Sequence, residues 1–206
     1  MEKKIINNLV VNIKYLIRKN IFKQYKAKGY KYINKPLTEE EYKNVLSEIY
    51  GNQYLDEKYS GFESQKPVKD WLVDLILKNL NQPATVLDAG ANRGYLMRSF
   101  MDRGIDAYGF DILEDKSRVL KECSDKFKLG SILNIPDFNI KFDLVTCIDV
   151  FEHIPINYID LMSEQLLNLN PRYFVFQISN DVISDGHITI KSSSFWINKF
   201  IRGGEI

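Results

Sequence analysis

Asp88, Gly90, Gly94 and Asp111 are the residues whose types and spacing most directly suit the binding of a small ligand. The first three fall in VLDAGANRGY (Val86–Tyr95), which reads as a short buried strand ending in an acid, then a glycine turn opening a helix. Glycine permits φ > 0 and lets a ligand touch the main chain. Such strand–loop–helix junctions sit at the carboxyl edge of open α/β sheets, where small molecules bind. Asp111 ends a second strand, YGFDI, 23 positions after Asp88, close to the roughly 20 residues expected of a ribose-binding carboxylate. It can instead merely cap the segment that follows, near Glu114. A second cluster, Asp149-x-x-Glu152-His153, joins two acids to one of only two histidines in the chain, the other being His187. An imidazole oriented by a carboxylate can take a proton from an acceptor hydroxyl or amine. The plainer reading is that Glu152 and His153 cap a helix and shape a pocket floor.

These residues need elements to carry them. Ile5, Ile6, Leu9, Val10, Ile13, Leu16 and Ile17 recur at helical spacing, so residues 4–20 read as an amphipathic helix. Thr38 and Glu41 form a capping box for a helix over about 38–49, with Gly51 ending it. Pro67 in a first turn predicts a helix with Val68, Trp71, Leu72, Leu75 and Ile76 on one face. From Thr85 onward strands and helices alternate: helix 93–103, strand 106–110, helix 114–123, a short strand 127–129, strand 142–148, helix 156–168, strand 172–178 and a helix in FWINKFI. This alternation predicts an open, mostly parallel, doubly wound (Rossmann-like) α/β sheet of about five strands with helices on both faces. Residues 1–60 form a basic helical extension and 61–206 a cofactor-binding domain. The pattern stops before a terminal antiparallel hairpin, so either the chain is shortened at its C-terminus or a second subunit covers the exposed sheet edge.

Composition narrows the classes. No stretch is long and apolar enough for a membrane span, and Asn12, Lys14 and Arg18 interrupt the apolar stretch that a signal peptide would need at the N-terminus. Two cysteines, one in an apolar strand and one in a helical segment, form no disulfide framework and suggest the cytoplasm. The net charge of +1 hides an asymmetry: residues 1–35 hold ten Lys/Arg and one Glu, and the rest hold 18 Lys/Arg against 26 Asp/Glu. A basic arm on an acidic domain suits an anionic partner or simple solvation of the helix's polar face.

Residues 84–178 resemble the class I S-adenosylmethionine-dependent methyltransferases, most clearly the small-molecule branch. VLDAGANRG is similar to that family's first motif, YGFDI to its second, LGSILNIP (129–136) to its third and FDLVTCIDVFEHIP (142–155) to its fourth. A nicotinamide-dependent dehydrogenase fits less well, since its first motif reads G-x-G-x-x-G and this one reads D-x-G-x-x-x-G. The resemblance implies that S-adenosylmethionine lies against Gly90, Ala91, Asn92 and Gly94, with Asp88 organising the loop. It implies that Asp111 accepts both ribose hydroxyls, Ile112 packs on adenine, and Ser131 and Ile132 flank the adenine edge. Asp149 then faces the methionine amino group or the substrate. Asp149, Glu152 and His153 are the catalytic candidates, and His187 and Tyr95 the substrate contacts. A similar acid-x-x-Glu-His pattern in quinone O-methyltransferases and small-RNA 3′-end methyltransferases raises a metal reading of Asp149, Glu152 and His153. No metal is assigned from the sequence. The implied activity is methylation of a small-molecule or sugar acceptor at oxygen or nitrogen. An RNA methyltransferase using the basic arm ranks below it, as does a non-catalytic scaffold subunit.

Overall fold

The computed structural model describes residues 32–50, 62–112, 116–181 and 186–200. The helix expected over 4–20 lies outside them. Five strands form one wholly parallel sheet in the order β3-β2-β1-β4-β5, with β1 Thr85–Ala89, β2 Asp106–Asp111, β3 Phe127–Leu129, β4 Leu144–Ile148 and β5 Tyr173–Gln177. The expected open, doubly wound sheet is therefore the fold. Chain direction across the sheet reverses between β1 and β4, the switch point at which successive loops part and leave a crevice.

The alternation along each strand explains the two layers of helices. Val86, Ala107 and Leu144 face α2 (Phe62–Asn79) and α3 (Tyr95–Met101), joining Leu72, Val73, Ile76, Met97 and Phe100 in one core. Leu87, Ala89, Phe110, Val145 and Cys147 face the other way, against Ile159, Met162 and Leu166 of α4 (Ile159–Asn168) and Trp196 of α5 (Ser193–Phe200). β4 is buried along its whole length, as its run of apolar residues, interrupted only by Thr146, requires. Both cysteines are buried and free, and no helix among the described residues is long and apolar enough to cross a membrane.

The capping box forms as expected at α1 (Glu39–Tyr50): Glu41 accepts from the Thr38 backbone N–H at 2.8 Å and Thr38 Oγ1 accepts from the Glu41 N–H at 3.2 Å. Three expectations need correction. α2 begins at Phe62, so Pro67 lies inside it and not in its first turn. Proline there forgoes a single backbone bond near the helix start. Its apolar stripe is also narrower than the spacing suggests: Leu72 and Ile76 are buried, whereas Val68 and Trp71 are more than half exposed. Third, the α-helix expected over 114–123 is absent among the described residues. Short 3-10 segments of three and six residues, at Lys116–Arg118 and Lys121–Lys126, replace it. Leu120 between them is extended, and its N–H is spent on the Arg93 carbonyl at 2.9 Å. A tertiary hydrogen bond thus breaks what local spacing favours.

Candidate functional site

The loop after β1 is fastened to the end of β2 by three backbone donors. The Gly90 and Ala91 N–H groups both reach the Phe110 carbonyl, at 3.0 and 2.9 Å, and the Asn92 N–H reaches Asp111 Oδ2 at 2.8 Å. Gly90 has φ +82°, and a Cβ built there would meet Val150 Cγ2 at 2.3 Å. The glycine therefore lets the loops after β1 and β4 touch across the switch point. Asp111 is half-buried at the rim, and Ile112 beside it keeps 46% of its surface exposed. A carboxylate has acceptor lone pairs only, so Asp111 suits a ligand's hydroxyls. The exposed isoleucine offers a flat apolar ring something to lie on. Gly94 sits in the left-handed region at the start of α3, and Tyr95 is buried in that helix's first turn.

Asp88 lies deeper than a ligand contact needs. It is 3% exposed, and its Oδ1 accepts from Thr146 Oγ1 at 2.8 Å. Burial pushes its carboxyl up to about 6, with the Thr146 hydroxyl pulling it partly back. The native state thus keeps this proton to higher pH than the unfolded chain, whose group titrates near 3.8. Stability contributed here is present below the unfolded value and is lost as pH rises through about 6. Asp88→Asn is therefore expected to gain roughly 1–3 kcal/mol over the wild type above pH 7 and almost nothing near pH 4, on urea melts. An equal difference at both pH values would sink this account.

Ser131 and Ile132 follow β3. Ser131 Oγ accepts from the Leu133 N–H at 3.1 Å, and the Ile132 side chain is packed into the core among Leu87, Phe110 and Phe142. Any contact of Ile132 with a ligand edge must therefore come from its backbone.

The second cluster assembles differently from its sequence order. Asp149 has φ 55° at the end of β4, and its exposed carboxylate is held by Gln177 Nε2 at 3.0 and 3.1 Å. Glu152 and His153 turn inward, where they meet His187. Glu152 is 0% exposed; its Oε1 accepts from the Ser179 N–H at 3.0 Å. Burial pushes the Glu152 carboxyl up to about 8. His153 Nδ1 donates to the Gly186 carbonyl at 3.0 Å. Burial, reinforced by neighbouring His187, holds the His153 imidazole down at about 4. An imidazole this hard to protonate is a weak general base at neutral pH.

Sequence reasoning overlooked Thr146, Gln177 and Asn34. Thr146 is a hydroxyl inside an otherwise apolar run, which is itself a legible signal. Gln177 ends an aromatic strand. Asn34 gave no sign, because its role is long-range: its N–H reaches the Ile188 carbonyl at 2.7 Å and its Oδ1 takes the Ile190 N–H at 3.0 Å, steadying the loop that carries His187.

A family model described as a methyltransferase domain matches residues 62–186. Among solved structures, the chain is similar to a protein from Pyrococcus horikoshii OT3, at 19% identity and a TM-score of 0.51, over 62% of this chain and 65% of that one. It is also similar to the 1,6-didemethyltoxoflavin-N1-methyltransferase of Burkholderia thailandensis, crystallised with 1,6-didemethyltoxoflavin and S-adenosylhomocysteine, at 20% identity and a TM-score of 0.51, over 71% of this chain and 66% of that one. The chain thus spans just under two thirds of each of these proteins, and likeness at this identity establishes the fold. No curated protein matches.

Proposed function

The chain belongs to the methyltransferase domain family matched over residues 62–186, and on that premise we propose that it moves a methyl group from S-adenosylmethionine to an oxygen or nitrogen of a small-molecule or sugar acceptor. The observation that carries this reading is the convergence of the 90–94 loop and Asp111 at the carboxyl ends of β1 and β2, beside the switch point. Those residues fit the cofactor's chemistry. Asp111 takes the two ribose hydroxyls, Ile112 backs the adenine, and Ser131 and the Ile132 backbone flank the adenine edge. Gly90, Ala91, Asn92 and Gly94 line the methionine portion with backbone. Asp88 holds the loop from beneath through β1, and Asp149 faces the amino group or the acceptor.

When bound, the sulfonium supplies an electrophilic methyl and a good leaving group. What the protein adds is alignment, which by itself can supply several kcal/mol of the barrier. Tyr95, Glu152, His153 and His187 shape the acceptor side. The acidic balance of residues 36–206 favours a small acceptor over RNA. Two buried thiols agree with a reducing compartment such as the cytoplasm.

Isothermal titration with S-adenosylhomocysteine is the direct test. Saturable binding at micromolar concentrations is expected, and a folded protein that takes up no S-adenosylhomocysteine at high micromolar concentration removes the proposal.

A further inference from the structure

We propose that Gln177 is a positioning residue: it holds Asp149, without neutralising it, as the counter-charge for the α-ammonium group of the bound cofactor. The inference rests on the methyl-transfer reading above and commits Asp149 to the cofactor's amino group, not to the acceptor.

Gln177 grips Asp149 twice. Its backbone carbonyl accepts the Asp149 N–H at 2.9 Å, and its Nε2 donates to Asp149 Oδ1 at 3.0 Å and to Oδ2 at 3.1 Å. A carboxylate only accepts, so the amide nitrogen is the atom that must face it. Ile148 and Gln177 are the last residues in register between β4 and β5. Directly after this pair, Asp149 enters the left-handed region at φ 55°, which aspartate tolerates better than most residues. The turn carries Val150 back to the glycine loop, where its Cγ2 lies 2.3 Å from the place a Cβ on Gly90 would take. Asp149 therefore sits one residue from the loop proposed to line the methionine portion, beside the switch point between β1 and β4.

The charge on Asp149 is unspent. Both it and Gln177 are exposed. Among the described residues Asp149 enters no ion pair, and the side chain that holds it is neutral. A carboxamide fixes the direction of a carboxylate and leaves its full charge for a ligand. A lysine at 177 would fix it as well and cancel that charge. A primary ammonium has three donors and no acceptor, so it is the natural complement of acceptor-only oxygens. Hydrogen bonds between two charged groups are also roughly twice as strong as neutral ones. The same charge repels the cofactor's own carboxylate, so the acid selects one end of the amino-acid tail over the other.

The test is calorimetric titration of the full-length protein with two probes. One is S-adenosylhomocysteine, and the other its deaminated analogue, in which hydrogen replaces the α-amino group. Gln177→Leu, which releases the carboxylate, and Gln177→Lys, which pairs with it, should each weaken S-adenosylhomocysteine binding by about tenfold. Both variants should bind the deaminated analogue no more weakly than the wild type does. Gln177→Leu should add nothing to the loss caused by Asp149→Asn, because the carboxamide acts only through that carboxylate. Circular dichroism and urea melts establish that every variant folds. The lysine variant separates positioning from bracing: it keeps a bond to Asp149, so a purely structural role predicts wild-type affinity for it. Variants that hold S-adenosylhomocysteine as tightly as the wild type overturn the assignment, and so does an equal loss of both probes. A folded wild type that binds neither probe removes the methyl-transfer reading itself. A wild type that binds both probes equally well keeps that reading and removes Asp149 from the ammonium.

Discussion

Gly109→Ala is expected to destabilise the protein by about 2–3 kcal/mol and to weaken S-adenosylhomocysteine binding at the same time. Gly109 lies in the middle of β2, paired in register with Asp88 of β1. A Cβ built there would meet Met97 Sδ at 2.5 Å, Ala91 Cβ at 2.7 Å and the Asp88 carbonyl at 3.2 Å. The thioether can swing aside, since methionine adapts readily. Ala91 cannot do so cheaply, because its N–H is bound to the Phe110 carbonyl one residue along the same strand. Relief therefore requires the loop after β1, proposed above to line the cofactor, to lift off β2. Urea denaturation reads the first effect and calorimetric titration the second. Gly104→Ala is the control for binding: its methyl meets nothing within 4 Å, so the strain of alanine at φ +74° should lower stability without displacing the loop after β1. If Gly109→Ala lowers stability yet leaves S-adenosylhomocysteine affinity intact, the loop does not depend on this packing.

Asp111→Ala should cut S-adenosylhomocysteine affinity by roughly 2–3 kcal/mol, or about 30- to 150-fold. Two losses combine in that figure. The ribose hydroxyls lose a charged acceptor, and the Asn92 N–H loses the oxygen it meets at 2.8 Å. Asp111→Asn separates them, because a carboxamide oxygen can still receive the Asn92 N–H while offering the hydroxyls no charge. Its affinity should fall between the wild type and the alanine variant. An alanine variant that binds within threefold of wild type would exclude Asp111 from the ribose contact.

Much of this protein is legible from residue order because its core elements obey short-range rules. The apolar run at 144–148, broken only by Thr146, had to be a strand buried on both faces, and Thr38 with Glu41 had to start a helix. Asp88 near the end of β1 and Asp111 at the end of β2, with glycines after the first, are a local signature of the loop that the structure fastens to β2. Where reading failed, a distant partner had intervened. The Arg93 carbonyl takes the Leu120 N–H and splits the expected helix after β2 into 3-10 turns. Val68 and Trp71 sit at helical spacing with Leu72 and Ile76, yet only the latter pair finds a core to enter.

Residue order alone settles the parallel sheet of five strands, the full burial of β4 and the glycine loop after β1, since periodicity and backbone preference act over a few residues. Tertiary structure alone decided which polar groups meet. It sent Asp149 outward to Gln177 and brought His187, 34 positions from His153, to within 5.0 Å ring to ring. Which side chains share a buried pocket depends on how loops from separate strands close over one sheet edge, and no local spacing encodes that closure.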